Sequence, residues 1–160
     1  MKIRYATLND LNAIADLEKA CFPPLEAAPI ESFKKRLNVF PNHFWLMYEG
    51  NMLVSCVNGF ATNEEILTDE MFENAGMHDE NGAWQMIFGV LTHPDHRMKG
   101  YATKLLMRAI DDAKAQKRKG VILTCKPALI PFYARLGFID EGVSPSEHGG
   151  ALWHQMRIPF

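Results

Sequence analysis

Trp84-Gln85-Met86-Ile87-Phe88-Gly89-Val90-Leu91, continuing through Thr92-His93-Pro94-Asp95-His96 into Arg97-Met98-Lys99-Gly100-Tyr101-Ala102, is the stretch on which the fold of this 160-residue chain turns. Its first eight residues are mostly apolar and do not alternate, so they predict a strand covered on both faces, the central strand of a sheet. Pro94 ends the run. From Tyr101 to Lys117, Leu105, Leu106, Ala109, Ile110 and Ala113 form one stripe, with Lys104, Arg108, Asp111, Asp112 and Gln116 opposite, which predicts an amphipathic helix. A helix N-terminus carries unpaired N–H groups and the positive end of the dipole, so the junction between strand and helix fits a phosphate or pyrophosphate. Gly100 permits close approach of the backbone, Ala102 keeps the first turn small, and Arg97 and Lys99 add charge. A solvated basic turn has the same composition.

Upstream, Lys2 to Ala6 alternates as a strand and meets Thr7-Leu8-Asn9-Asp10, where Thr or Asn can cap a helix carrying Leu11, Ile14, Ala15, Leu17 and Glu18 at helical spacing. That helix stops at Cys21-Phe22-Pro23-Pro24, and a Pro-bearing loop runs to Pro29, where a second helix starts and continues through Leu37. Phe44–Tyr48 and Met52–Val57, joined at Glu49-Gly50-Asn51, predict an antiparallel hairpin. Between Ala61 and Ala83 stand seven acids and no Lys or Arg, read as an acidic surface insertion, partly helical around Leu67 to Ala75. Downstream, Val121–Thr124 reads as a buried strand, Ala128–Leu136 as a short helix capped by Gly137, and Phe138–Ile139 and Leu152–Ile158 as the last two strands.

The composition, 48% apolar and 22% charged, is that of an ordinary globular domain, and 17 basic against 19 acidic residues give no basic surface for nucleic acid. No apolar run is long enough for a membrane span or an export signal. Cys21, Cys56 and Cys125 are odd in number and sit in apolar contexts, which suits buried thiols. The expectation is a cytoplasmic chain, a single domain over residues 1–160.

One helix and one strand beyond the basic junction comes Phe132-Tyr133-Ala134-Arg135-Leu136-Gly137-Phe138. With Arg-x-x-Gly-x-Ala at 97–102, and with the order strand, two helices, three strands, helix, strand, helix, two strands, the chain resembles the GNAT superfamily of acetyltransferases over nearly its whole length. The resemblance implies a mixed α/β (α+β) fold whose central sheet, of about seven strands, splays open between the fourth and fifth, with acetyl-CoA as the acetyl donor and no metal. It places Val90, Leu91 and Thr92 against the pantetheine and acetyl groups, with Phe132 also at the cofactor. Arg97, Met98, Lys99, Gly100, Tyr101, Ala102 and Thr103 would lie along the pyrophosphate, and Tyr133 would protonate the leaving thiolate. A phenol, with an ordinary pKa of about 10, keeps its proton at neutral pH and suits that role; packing as a core aromatic beside Phe132 is the other reading.

Within the superfamily, Cys125-Lys126-Pro127-Ala128-Leu129-Ile130-Pro131-Phe132-Tyr133 and Cys21-Phe22-Pro23 look like the arylalkylamine N-acetyltransferase branch. That branch carries two histidines on the central strand to relay the proton of the amine. Here those positions hold Met86 and Phe88, neither of which accepts a proton. An alkylamine has a pKa near ~10.4, so the amine needs an acceptor. Glu26 in the Pro-bearing loop is the first candidate, followed by Glu31, His78 and Asp79; each also reads as an ordinary surface group. His93-Pro94-Asp95-His96 has metal-ligating residue types, but no further ligand cluster accompanies it. Cys125 has a nucleophile's side chain, but no base near it in sequence.

The expected function is transfer of an acetyl group from acetyl-CoA to a primary amine, a small arylalkylamine or polyamine, by direct transfer in a ternary complex. The alternatives are acetylation of a peptide N-terminus or lysine, and a CoA-binding sensor module without catalysis.

Overall fold

A computed structural model describes residues 2–160, which fall into two units by their internal contacts, one made of residues up to 59 with 89–109, the other of 60–88 with 110–160. In chain order the strands and helices are β1 (Lys2–Tyr5), α1 (Leu11–Cys21), α2 (Ile30–Val39), β2 (Phe44–Glu49), β3 (Met52–Asn58), β4 (Ala61–Thr62), α3 (Asp69–Glu73), β5 (Trp84–Ile87), β6 (Gly89–Thr92), α4 (Tyr101–Ala115), β7 (Gly120–Cys125), α5 (Ile130–Arg135), β8 (Ile139–Val143) and β9 (His154–Pro159).

In the first unit Thr7 forms a capping box with Asp10 ahead of α1: its hydroxyl accepts the Asn9 N–H, and Asp10 accepts the Thr7 N–H at 2.8 Å. Asp10 is buried and also takes both guanidinium arms of Arg4, at 2.7 and 3.0 Å, and the Tyr48 hydroxyl at 2.8 Å. One carboxylate thus ties β1, β2 and the start of α1 together. β1, β2, β3 and β6 form an antiparallel sheet in that order, the hairpin closing at Gly50, whose φ of 60° is a conformation glycine adopts without cost. α1 packs on α2, β3 and β6, burying Ile14 and Leu17, and α2 buries Phe33 and Leu37.

In the second unit the sheet order is β4-β5-β7-β9-β8, with β5 and β7 parallel and every other pair antiparallel. A parallel pair needs a crossover, and the stretch containing α4 runs between β5 and β7. Gly120 is required at the start of β7, because a Cβ there would stand 2.2 Å from the Ile158 carbonyl oxygen and 2.8 Å from the Trp84 ring.

The fold is mixed α/β, two sheets flanked by helices, and it corrects the strand reading in one instructive place. Trp84–Leu91 is not one strand. Residues 84–87 pair with β7, Phe88 stands between the two strands, and residues 89–92 pair with β3. With the two-residue β4, the described residues hold nine strands rather than about seven. An apolar run states that a segment is covered, not which neighbour covers it.

The acidic segment is also more than a solvated face. Its helix spans only Asp69–Glu73, and Leu67 and Met71 are buried. Asp69 accepts the Ser146 hydroxyl at 2.5 Å and the Glu147 N–H at 3.0 Å, Leu67 N–H reaches Gln155 Oε1 at 2.9 Å, and Arg118 bonds the Gly82 carbonyl at 2.6 Å and Glu80 at 3.2 Å. The acids hold the segment onto its own unit. No described helix is long and apolar enough to cross a membrane.

Candidate active site

β6 is the edge of the first sheet, hydrogen-bonded among the described strands to β3 alone in a register running from Ser55 opposite Thr92 to Asn58 opposite Gly89. Its other side leaves backbone N–H and C=O groups for an extended ligand. Leu91 is buried, while Val90 and Thr92 are half-buried. The Ser55 hydroxyl donates to the Leu91 carbonyl at 2.7 Å and lies 3.1 Å from the Thr92 hydroxyl, which holds the strand end in place.

Past Thr92 the chain makes a short turn at Pro94–His96 capped by His93, whose Nδ1 accepts the Asp95 N–H at 3.1 Å; His96 Nδ1 lies 3.2 Å from Glu49. Residues 97–100 are exposed. Met98 and Gly100 have φ of 65° and 77°, and a Cβ on Gly100 would meet nothing within 4 Å. Left-handed residues curl a backbone into a concavity of N–H groups that suits anions. α4 begins at once, its Lys104 N–H bonding the Gly100 carbonyl at 3.1 Å, so the N–H groups of Tyr101, Ala102 and Thr103 belong to the unpaired first turn. Arg97 also makes a fixed contact: its Nε donates to the Thr92 carbonyl at 3.2 Å, and the Cys21 thiol donates to the same oxygen at 3.3 Å. The guanidinium braces the loop against the strand end. Burial raises the pKa of Cys21 above the ordinary thiol value even with Arg97 beside it.

In the second unit, Tyr133 on α5 is 6% exposed, its ring edge-on to Phe132 at 5.0 Å and Phe138 at 5.9 Å. Burial, with a smaller contribution from Cys125, pushes its phenol well above the usual value, so it holds its proton across the physiological range. Cys125 is buried with its thiol directed to Met156 Sδ at 3.6 Å, and burial lifts it to about 11, which leaves it inert as a nucleophile near pH 7. Met86 is fully buried. Phe88 lies 4.8 Å from both Phe60 and Phe72, and the row of rings continues through His148, stacked on Phe72 at 5.7 Å, to Trp153.

The proton-acceptor candidates separate clearly. The Nδ1 of His78 accepts the Ala61 N–H at 3.1 Å, which puts its proton on Nε2, 3.1 Å from Glu80. Asp79 is exposed and caps Asn81 at 2.9 Å, and Glu31 is exposed in the first turn of α2. Glu26 is half-buried in a turn in which its N–H donates to the Pro23 carbonyl at 2.9 Å.

Three polar residues that the candidate set lacks lie in the interior of the first unit: Glu18 on α1, Arg36 on α2 and Asn58 on β3, respectively 6%, 3% and 1% exposed. Glu18 Oε2 accepts the Ala28 N–H at 2.8 Å, and Arg36 donates to Asn58 Oδ1 at 3.1 Å. Burial lowers Arg36 to about 10 against the opposing pull of Glu18, so it stays charged at neutral pH. The sequence did carry a signal here, because Glu18 falls on the apolar stripe of its helix.

A family model described as acetyltransferase (GNAT) family matches residues 11–138. Serotonin N-acetyltransferase of Mesocricetus auratus is 23% identical over 145 residues, 88% of this chain and 69% of that protein. The loading GNATL domain of CurA from Lyngbya majuscula superposes with a TM-score of 0.86 at 13% identity, over 99% of this chain and 96% of that one. The ribosomal-protein-S18-alanine N-acetyltransferase of Escherichia coli gives 0.72 at 16% identity, over 99% and 92%.

Proposed function

We propose a small primary amine, an arylalkylamine or polyamine, as the acceptor of this chain, which belongs to the acetyltransferase (GNAT) family and is an acyl-CoA-dependent N-acetyltransferase. The observation that carries the reading is the edge strand β6 running through the braced turn into the Met98–Gly100 loop and the first turn of α4. An extended pantetheine lies along the open edge at Val90, Leu91 and Thr92, and the pyrophosphate rests on Arg97 to Thr103, with Phe132 also at the cofactor. When bound, acyl-CoA supplies the activated carbonyl. Edge N–H groups of β6 then stabilise the oxyanion formed on attack, a term usually worth ~10² to 10³ in rate. Tyr133, protonated throughout, is the proposed acid for the leaving thiolate. The row of rings from Phe60 to Trp153 favours an amine with an apolar or aromatic body. Residues 1–160 act as one domain in this reading, with Glu26 held as the first-named candidate base against the test below.

A panel of arylalkylamines, polyamines, short peptides and alcohols, assayed with acetyl-CoA by thiol release, tests the proposal. The expected result is highest kcat/KM among the small amines. Turnover confined to peptides would overturn the acceptor, and CoA binding without turnover on any acceptor would favour a sensor module.

A further inference from the structure

The reaction needs a place for the proton that the amine loses, and the positions of the familiar histidine pair hold Met86 and Phe88. The first unit contains another arrangement. Gly89 opens β6 directly opposite Asn58. A Cβ built on Gly89 would lie 3.1 Å from Asn58 Nδ2 and 4.0 Å from Glu18 Oε1, so the missing side chain leaves a buried donor and a buried carboxylate oxygen near the same point. Asn58 Nδ2 is buried with no hydrogen-bond acceptor among the described residues, although Oδ1 of the same amide is taken by Arg36. Buried donors are almost always satisfied by protein or ordered water, so this one marks a site for a polar ligand atom. Gly89 is also the first residue of the strand whose next three positions are proposed to hold the acyl group.

We propose that a water molecule bridges Asn58 Nδ2 and Glu18 Oε1 beside Gly89, and that Glu18 is the terminal acceptor of the amine proton. This rests on the acetyltransferase reading above and names Glu18 in place of Glu26. The water accepts from Asn58 Nδ2–H and from the amine N–H, and donates to Glu18. As nitrogen bonds to the carbonyl carbon, its proton passes to the water and a water proton passes to Glu18. The C–S bond then breaks, and sulfur leaves as the thiol with a proton from the general acid. Glu18 returns its proton to solvent, and the general acid takes one back from solvent, before the next turnover. The Ala28 N–H fixes the carboxylate from its other oxygen. The titratable groups on which Glu18 acts are Arg36 from α2, Cys56 from β3 and Cys21 on α1 itself. Arg36 stays charged and both thiols neutral between pH 6 and 8, because burial lowers the first only to about 10 and raises the other two.

The test compares wild type, Glu18→Gln, Gly89→Ala and Glu26→Gln with acetyl-CoA and the best amine of the panel. Glu18→Gln should lose roughly 100-fold in kcat/KM for the amine at pH 6.5, with the deficit shrinking towards pH 9.5 as free amine and hydroxide become available. Gly89→Ala sets a methyl group 3.1 Å from Asn58 Nδ2, crowding the water position, and should show a similar pH-dependent deficit of tenfold or more. Both variants should bind CoA within twofold of wild type by calorimetry, and a pH-dependent deficit in Glu26→Gln with none in Glu18→Gln would return the role to Glu26 and overturn the proposal. A folded Glu18→Gln with a wild-type profile overturns the proposal. If Glu18→Gln does not fold, Gly89→Ala decides alone, and wild-type kinetics there overturn it equally. If wild type turns over peptides but not amines, the acceptor reading fails while the same pH comparison on a peptide amine still tests Glu18, since that nitrogen sheds the same proton.

Discussion

Replacing Tyr133 by Phe removes one oxygen and leaves the ring between Phe132 and Phe138, so the fold and CoA binding should persist while turnover falls. The size of the fall follows from acidity. General acid assistance is typically worth ~10² to 10⁴ and is greatest when the pKa of the acid is matched to its task. Burial lifts the Tyr133 phenol above its ordinary ~10, whereas a free thiol titrates near ~8.5, so the transfer is uphill by at least ~1.5 units, about 2 kcal/mol. That mismatch puts the expected loss at the low end, ~100-fold in kcat or about 2.7 kcal/mol. The same burial predicts the shape of the pH dependence: the phenol does not titrate between pH 6 and 9, so the ratio of wild type to variant should be constant there. The assay is steady-state thiol release with saturating acetyl-CoA and amine, alongside calorimetric CoA affinity, which should change less than twofold. A kcat within threefold of wild type would refute the acid role, and a ratio that varied tenfold across that pH range would refute the reasoning from burial.

Gly100→Val places a branched side chain at a φ of 77° on the exposed loop, and should weaken CoA binding tenfold or more, about 1.4 kcal/mol, as read by calorimetry on the folded variant. Asp10→Asn should cost about 2 kcal/mol at pH 7, measured by urea unfolding, since a buried carboxylate holding Arg4, the Thr7 N–H and Tyr48 loses its charge. Burial opposes ionisation of Asp10, but those three partners outweigh it and hold its pKa below the ordinary value; its contribution is therefore present above pH ~4 and lost as pH falls through the folded value, so the gap to wild type should close in acid. Gly120→Ala should be the most damaging of these substitutions to stability, lowering Tm sharply, because its methyl would overlap the Ile158 carbonyl oxygen at 2.2 Å and backbone cannot step aside as a side-chain tip can. Adding salt should raise the KM of a cationic amine more than that of acetyl-CoA if exposed acids such as Glu64 and Glu70 draw the amine in, because the Debye length falls from ~10 Å at 0.1 M to ~3 Å at 1 M.

What the chain discloses in one dimension depends on how local the cause is. The long helix α4 was legible almost to its ends because its stripe is periodic and Gly100 precedes it, and the hairpin at Gly50 was legible because a tight turn writes its requirement into one residue. The two-residue β4 has no period to read. The break at Phe88 escaped for a different reason: β5 and β6 are both covered and both apolar, so the exchange of β7 for β3 as partner leaves no mark in hydrophobicity. The anchoring of the acidic segment escaped likewise, since Asp69 meets Ser146 across 77 residues of chain. A run of acids reads as solvated until its partners are placed.

The same logic explains why Glu26 stood among the base candidates and Glu18 did not. A loop carboxylate between prolines is conspicuous, whereas a Glu inside an amphipathic helix passes for an ordinary helix former. Its position on the apolar stripe beside Leu17 was the anomaly, because a carboxylate reaches a helix's buried face only with partners enough to offset its desolvation. Those partners come from three other segments: Arg36 acts on it from α2, the Ala28 N–H from the loop, and Gly89 with Asn58 faces its second oxygen from the paired strands. None of the three could be assigned to Glu18 before the fold placed α2, the loop and the β3–β6 pair beside it. A charged residue on the apolar stripe of its helix is therefore the mark to follow in the sequence when a buried proton acceptor is sought, and the pH profile of Glu18→Gln measures whether it was followed correctly here.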